Sequence, residues 1–153
     1  MALIGKSRKA TEVELTADLV QGLLRDQHPD LAELPITLGA RGWGNQMWRL
    51  GDDLAVRLPW QTADADGSVV KEHTWLLVLA PVLPLPVPVP KRLGAPSDRY
   101  PRTWIVTTWV PGSPADLAPA TSGEEAADAL AAFTAALHQP AADGVPEGRG
   151  RGG

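Results

Sequence analysis

The segment between residues 34 and 59 constrains the fold more than any other part of the chain. It contains three short apolar stretches, near residues 34–38, 46–50 and 54–58. Glycines at positions 39, 42 and 44 lie in the first connection, and Gly51-Asp52-Asp53 forms the second. Short apolar runs separated by tight turns are typical of antiparallel hairpins. The segment therefore predicts three adjacent strands.

Composition limits the class of protein. The chain has 153 residues, 44% of them hydrophobic, which suffices for one domain with a buried core. Its net charge of −4 argues against a nucleic-acid-binding surface, and without cysteine it has no disulfides. No apolar run approaches the roughly 18 residues that span a bilayer, and no secretory signal is apparent. We expect a cytoplasmic protein that binds neither nucleic acid nor membranes.

Three helices are predicted from their caps. Thr16 caps a helix from Ala17 to about Gln27, and Ser68 caps a second helix from Val69 to about Leu79. Ser122-Gly-Glu-Glu125 is a capping box that opens an alanine-rich helix ending near His138. The apolar edge of this third helix consists of Leu130, Phe133 and Leu137 and needs a surface to pack on. Where the edge is left exposed, we expect copies of the chain to associate through it.

Residues 81–90 contain five prolines and must be largely extended. Two further strands follow, Lys91–Gly94 and Thr103–Val110. Proline-rich segments also bind aromatic-lined recognition domains. Here no basic anchor occurs before Lys91, so a rigid connector is the favoured interpretation.

Arg57 and Glu72 each interrupt an apolar pattern. Arg57 is the one charge in its strand, and Glu72 lies in the middle of the apolar stripe of the second helix. Either side chain alone is also compatible with simple exposure to solvent. An ion pair between them explains both, because a carboxylate on a buried stripe needs a cationic partner.

A glycine-rich hairpin followed by a cation on the next strand can cover and hold a polyphosphate. The glycines alone are equally compatible with a flexible turn. Likewise, Thr108 and Val110 form a strand end before Pro111-Gly112, which is either an ordinary terminus or a backbone edge that pairs with a planar base.

Taken together, these residues resemble the aminoglycoside phosphotransferase family, which has a protein-kinase-like fold. The similarity runs from Gly42 to Pro59, through Glu72 and the proline run, to Tyr100–Gly112 and the helix ending at His138. It covers about residues 12–140. Two positions depart from the family pattern: Gly44 replaces a frequent aspartate, and Trp60 a frequent second basic residue.

The resemblance implies an α+β small lobe, in which a five-stranded antiparallel sheet and one helix bind a nucleotide. Gly42, Gly44 and Asn45 would line the phosphate loop, and Arg57 would contact phosphates with Glu72 as its partner. The Thr108 carbonyl and the Val110 amide would pair with adenine. We accordingly expect a leader over 1–11, the lobe over 12–112, an interlobe linker and helix over 113–140, and a disordered, truncated tail over 141–153.

The family's second lobe carries a catalytic His-x-Asp-x-x-x-x-Asn loop and a later metal-binding aspartate. Neither motif occurs in residues 113–153, which contain no asparagine. We therefore expect an ATP-binding lobe that is inactive alone. Magnesium and the small-molecule acceptor would bind only when a catalytic lobe is also present. The alternative is a noncatalytic interaction module with the same fold.

Overall fold

The structure is a computed structural model that describes residues 13–60, 65–117, 121–141 and 143–145. These residues form helices α1 (Ala17–Gln27), α2 (Ala65–Leu79) and α3 (Gly123–Leu137). The strands are β1 (Ile36–Arg41), β2 (Asn45–Leu50), β3 (Leu54–Pro59), β4 (Pro90–Gly94) and β5 (Trp104–Thr108). The predicted leader, 1–11, and most of the predicted tail lie outside the described residues.

All five strands belong to one antiparallel sheet with the order β1-β2-β3-β5-β4. The predicted α+β class and five-stranded sheet are confirmed. Because β5 inserts between β3 and β4, Leu54 lies opposite Thr108 and Arg57 opposite Ile105. This adjacency places Arg57 and Thr108, two of the predicted site residues, on neighbouring strands.

One face of the sheet packs against α1. Val20, Leu23 and Leu24 of this helix are fully buried in a cluster with Trp104 and other sheet residues. The helix begins as predicted, because the Thr16 hydroxyl accepts a hydrogen bond of 3.2 Å from the Leu19 amide.

β1 lies further along the chain than predicted and does not end before the glycines. Its register shifts between Leu38 and Ala40, so Gly39 forms a bulge inside the strand. A Cβ atom at Gly39 would lie 3.1 Å from Cζ3 of Trp109, which explains why a residue without a side chain fits there. Of the three glycines, only Gly42 and Gly44 therefore lie in the loop between β1 and β2.

Other boundaries also differ from prediction. α2 begins at Ala65, so Ser68 lies in its first turn and not at its cap. The helix can begin before Gly67, because a glycine inside a helix costs only about 1 kcal/mol. The proline run begins inside a short 3₁₀ helix, Ala80–Val82, and its last residue, Pro90, already belongs to β4. β5 is shorter than the predicted 103–110.

The chain divides into two compact units, Met1–Leu77 with Pro88–Val110, and Val78–Val87 with Pro111–Gly153. The first contains the sheet, α1 and most of α2, and the second contains α3. α3 begins at the predicted cap, where the Ser122 hydroxyl accepts a hydrogen bond of 3.3 Å from the Glu125 amide. None of the helices in the described ranges is long and apolar enough to cross a membrane.

Candidate functional site

Arg57 lies on the face of the sheet opposite α1. Its strand neighbours Val56 and Leu58 are fully buried in the core, and strand alternation turns Arg57 to the other side. There its Nη2 donates to Oε2 of Glu72 on α2, in the ion pair that the sequence predicts. The two side chains are only 20% and 24% exposed, so water screens the pair less than it screens a surface pair.

The glycine-rich hairpin closes next to the end of β3. The Gly42 amide donates to the Asn45 carbonyl over 2.9 Å, which sets the width of the turn. The Trp60 amide donates to the Gly44 carbonyl over 3.0 Å, and Asn45 lies opposite Pro59 in the sheet. These contacts bring Gly44 and Asn45 beside the strand that carries Arg57.

A cleft of about 240 Å³ lies between the hairpin, β3 and the first turns of α2. Its lining residues are Gly44, Asn45, Arg57, Pro59, Ser68, Val69 and Glu72. The volume is below the roughly 300–1,000 Å³ of pockets that enclose a whole small ligand. Arg57 keeps donor capacity, because its buried Nε finds no acceptor among the described residues. The cleft therefore suits one anionic group of a larger ligand.

Thr108 and Val110 lie apart from this cleft, at and after the end of β5. The Thr108 amide donates to the Val89 carbonyl over 2.8 Å, and its hydroxyl accepts from the Val89 amide over 2.9 Å. The Trp109 amide donates to the Asp53 carbonyl over 2.7 Å. Since Leu54 faces Thr108, this strand end is three residues, or about 10 Å, from Arg57 along β3.

The structure thus brings four of the seven predicted site residues into one cleft, namely Gly44, Asn45, Arg57 and Glu72. Gly42 adjoins it through its bond to Asn45. Sequence reasoning missed Ser68 as a lining residue, because it treated this serine as a helix cap. It also assigned no contact to Trp60, whose amide bonds to the Gly44 carbonyl only because the fold brings the end of β3 beside the hairpin. In the described ranges, no group of three or more histidine, aspartate or glutamate side chains is placed to hold a metal ion.

The fold is that of an α+β protein with a five-stranded antiparallel sheet, and comparison with known proteins identifies the family. A model of the phosphotransferase enzyme family matches residues 35–152. The chain therefore belongs to this family. A search of curated proteins finds no match to the sequence.

Solved structures show the same kinase-like fold. The GDP complex of wild-type aminoglycoside 2'-phosphotransferase-IIIa is 21% identical, with a TM-score of 0.66 over 77% of this chain and 40% of that one. The streptomycin–ATP ternary complex of APH(2")-IIa is 17% identical, with a TM-score of 0.56 over 86% of this chain and 42% of that one. This chain therefore spans about two fifths of the length of these structures.

Proposed function

We propose that the chain is the nucleotide-binding small lobe of an ATP-dependent O-phosphotransferase for small molecules. The observation that carries the proposal is the Arg57–Glu72 ion pair on the wall of a cleft shared with Gly44 and Asn45. In this proposal residues 12–112 constitute the lobe, and residues 113–140 connect it to the catalytic lobe of the family.

The phosphates of ATP bind in the cleft beside Arg57. A guanidinium is permanently charged and offers several N–H donors, so it holds phosphate oxygens while Glu72 fixes its orientation. Backbone groups of Gly42, Gly44 and Asn45 approach the phosphates closely because glycine leaves the backbone uncovered. Fixed donors of this kind are the main protein contribution to phosphoryl transfer.

Adenine binds at the end of β5. The Thr108 carbonyl accepts from the base and the Val110 amide donates to it, which satisfies one edge of a planar purine. The separation of about 10 Å between Thr108 and Arg57 along the sheet leaves space for the ribose between the base and the phosphates.

The acceptor is a hydroxyl of an antibiotic-like small molecule of the aminoglycoside or macrolide type, and aminoglycoside phosphotransferases are among the solved structures of similar fold. Magnesium neutralises phosphate charge in this chemistry. The described residues lack a clustered metal-ligand set, so we assign its ligands to no residue of this chain. Residues 113–153 lack the catalytic loop motif. In this proposal the chain alone therefore transfers no phosphate, although it binds the nucleotide.

Calorimetric titration with a nonhydrolysable ATP analogue tests the proposal. We expect saturable binding that is lost in Arg57→Ala and strongly weakened in Glu72→Ala. Arg92→Ala is the matched control, since Arg92 pairs with Asp30 on the surface at 3.4 Å. Absence of binding by the folded wild-type chain at millimolar analogue would favour a noncatalytic interaction module instead.

An activity assay tests the second part of the proposal, that the lobe alone is inactive. Magnesium-dependent phosphorylation of kanamycin by the purified chain would contradict it.

A further inference from the structure

Trp60 contacts the glycine-rich hairpin in three ways. Its backbone amide donates to the Gly44 carbonyl and its indole Nε1 donates to the Trp43 carbonyl, both over 3.0 Å. The guanidinium of Arg41 lies over the indole ring, 4.6 Å from its centroid. One residue directly after β3 therefore holds the end of β1 and the tip of the turn together.

These contacts matter because the turn contains two glycines and would otherwise sample many conformations. Fixing the backbone of a single residue costs about 1–2 kcal/mol of conformational entropy, and glycine loses more than other residues. A ligand that ordered a mobile hairpin would lose affinity accordingly. Contacts that order the hairpin in the free protein remove that loss.

The hydrogen bond from the Trp60 indole to the Trp43 carbonyl also sets the direction of a backbone donor, the amide of Gly44. The described peptide bonds are all trans, so the N–H and C=O of one peptide group point in opposite directions. The Trp43 carbonyl is directed at the Trp60 indole, and Trp60 packs against the α1 side of the sheet. The amide of Gly44 belongs to the same peptide group and is therefore directed away from the indole.

We propose that Trp60 is a positioning residue for the phosphate site, which orders the hairpin and directs the Gly44 amide toward a bound phosphate. This inference rests on the proposed nucleotide-binding function. Trp60 acts through the hairpin and itself contacts no phosphate. Its effect should therefore depend on the phosphates of the ligand and not on the base.

The test compares a nonhydrolysable ATP analogue with adenosine. Trp60→Phe keeps a ring beneath Arg41 but removes the indole donor. We expect it to weaken binding of the ATP analogue about 5-fold, the usual worth of one hydrogen bond, and adenosine binding less than about 2-fold. Trp75→Phe, which removes an indole N–H from α2 and leaves the hairpin intact, should change neither affinity.

A second measurement needs no ligand. Hydrogen exchange of the hairpin amides should accelerate in Trp60→Phe and stay unchanged in Trp75→Phe. If Trp60→Phe does not fold, Arg41→Gln replaces it, with an expected loss of about 2- to 5-fold for the ATP analogue through the missing cation–π contact.

The outcomes separate the two proposals. An equal loss for the ATP analogue and for adenosine would overturn the positioning role, because it would reflect a general loss of structure. Wild-type affinity in Trp60→Phe, or unchanged hydrogen exchange, would also overturn it while leaving nucleotide binding intact. Absence of any ATP-analogue binding by the wild type would instead overturn the proposed function, and the positioning role with it.

Discussion

Arg57 and Glu72 are separated by fifteen residues, yet their side chains form an ion pair between β3 and α2. No other described ion pair joins a strand to α2, and the other described pairs lie at more exposed positions. A half-enclosed pair of this kind orients a cation that is then available to an anionic ligand. Its energetic and functional consequences are open to direct measurement.

A double-mutant cycle measures the coupling between these two residues. We expect Arg57→Ala and Glu72→Ala each to destabilise the fold, with a coupling energy of about 1–2 kcal/mol. This value lies between the 0–1 kcal/mol of surface pairs and the 3–5 kcal/mol for breaking buried ones, in keeping with the partial exposure. Urea unfolding provides the free energies. The cycle for Arg92 and Asp30, which are 48% and 60% exposed, should give less than about 0.5 kcal/mol; equal values for the two pairs would contradict the prediction.

Among the glycines that the structure describes, Gly94 has the least space for a side chain. It lies opposite Trp104 in the β4–β5 pair, and a Cβ atom there would fall 1.8 Å from Cε2 of the buried indole. We expect Gly94→Ala to destabilise the fold by about 2–3 kcal/mol or more, because the ring has to move within a packed core. Thermal unfolding checks this. Gly123→Ala, with no heavy atom within 4 Å of the added methyl group, should not destabilise the fold. A Gly94→Ala variant as stable as the wild type would show that Trp104 repacks freely.

The buried hydroxyl of Tyr100 donates to the Pro59 carbonyl at the end of β3. Tyr100→Phe removes this donor and leaves a buried carbonyl without it, so we expect a loss of about 1–2 kcal/mol of stability. Because Pro59 immediately precedes Trp60, hydrogen exchange of the hairpin should also rise. Chemical denaturation together with exchange measurements tests both effects. A stability equal to that of the wild type would mean that water or another donor replaces the hydroxyl.

The helix cap at Thr16 is a local feature with a local cost. Thr16→Ala should lower stability by about 1 kcal/mol, because the Leu19 amide loses its acceptor at the start of the core helix α1. Thr16→Ser keeps an acceptor oxygen and should retain most of the stability. Equal losses in the two variants, measured by urea unfolding, would show that the methyl group and not the hydroxyl matters.

We expect copies of the chain to associate through α3. Leu130 and Leu137 are seven residues apart on one face of this helix and are 61% and 41% exposed. Replacing both with glutamine should shift the sedimentation profile toward the monomer, since it removes the apolar surface and retains helix propensity. Ala132→Gln, at another exposed position of α3, is the control. A wild-type chain that sediments as a monomer at all concentrations would contradict this expectation.

Much of the architecture was predictable because its causes are local. The caps at Thr16 and Ser122 depend on one hydroxyl and an amide three residues away, so sequence alone locates both helix starts. The pairing of Arg57 with Glu72 was also predictable, because each charge interrupts an apolar pattern that otherwise indicates burial.

Features that depend on distant parts of the chain were not predictable. The close fit of glycine at position 39 depends on the Trp109 ring, seventy residues later in the chain. The contacts of Trp60 to Arg41, Trp43 and Gly44 require the strand register that brings the end of β3 beside the hairpin. The amino-acid sequence by itself therefore determined which segments become helices and strands and which charges need partners. The tertiary structure decided the register, the bulge and the ordering of the hairpin, because these result from packing between segments that no local pattern relates.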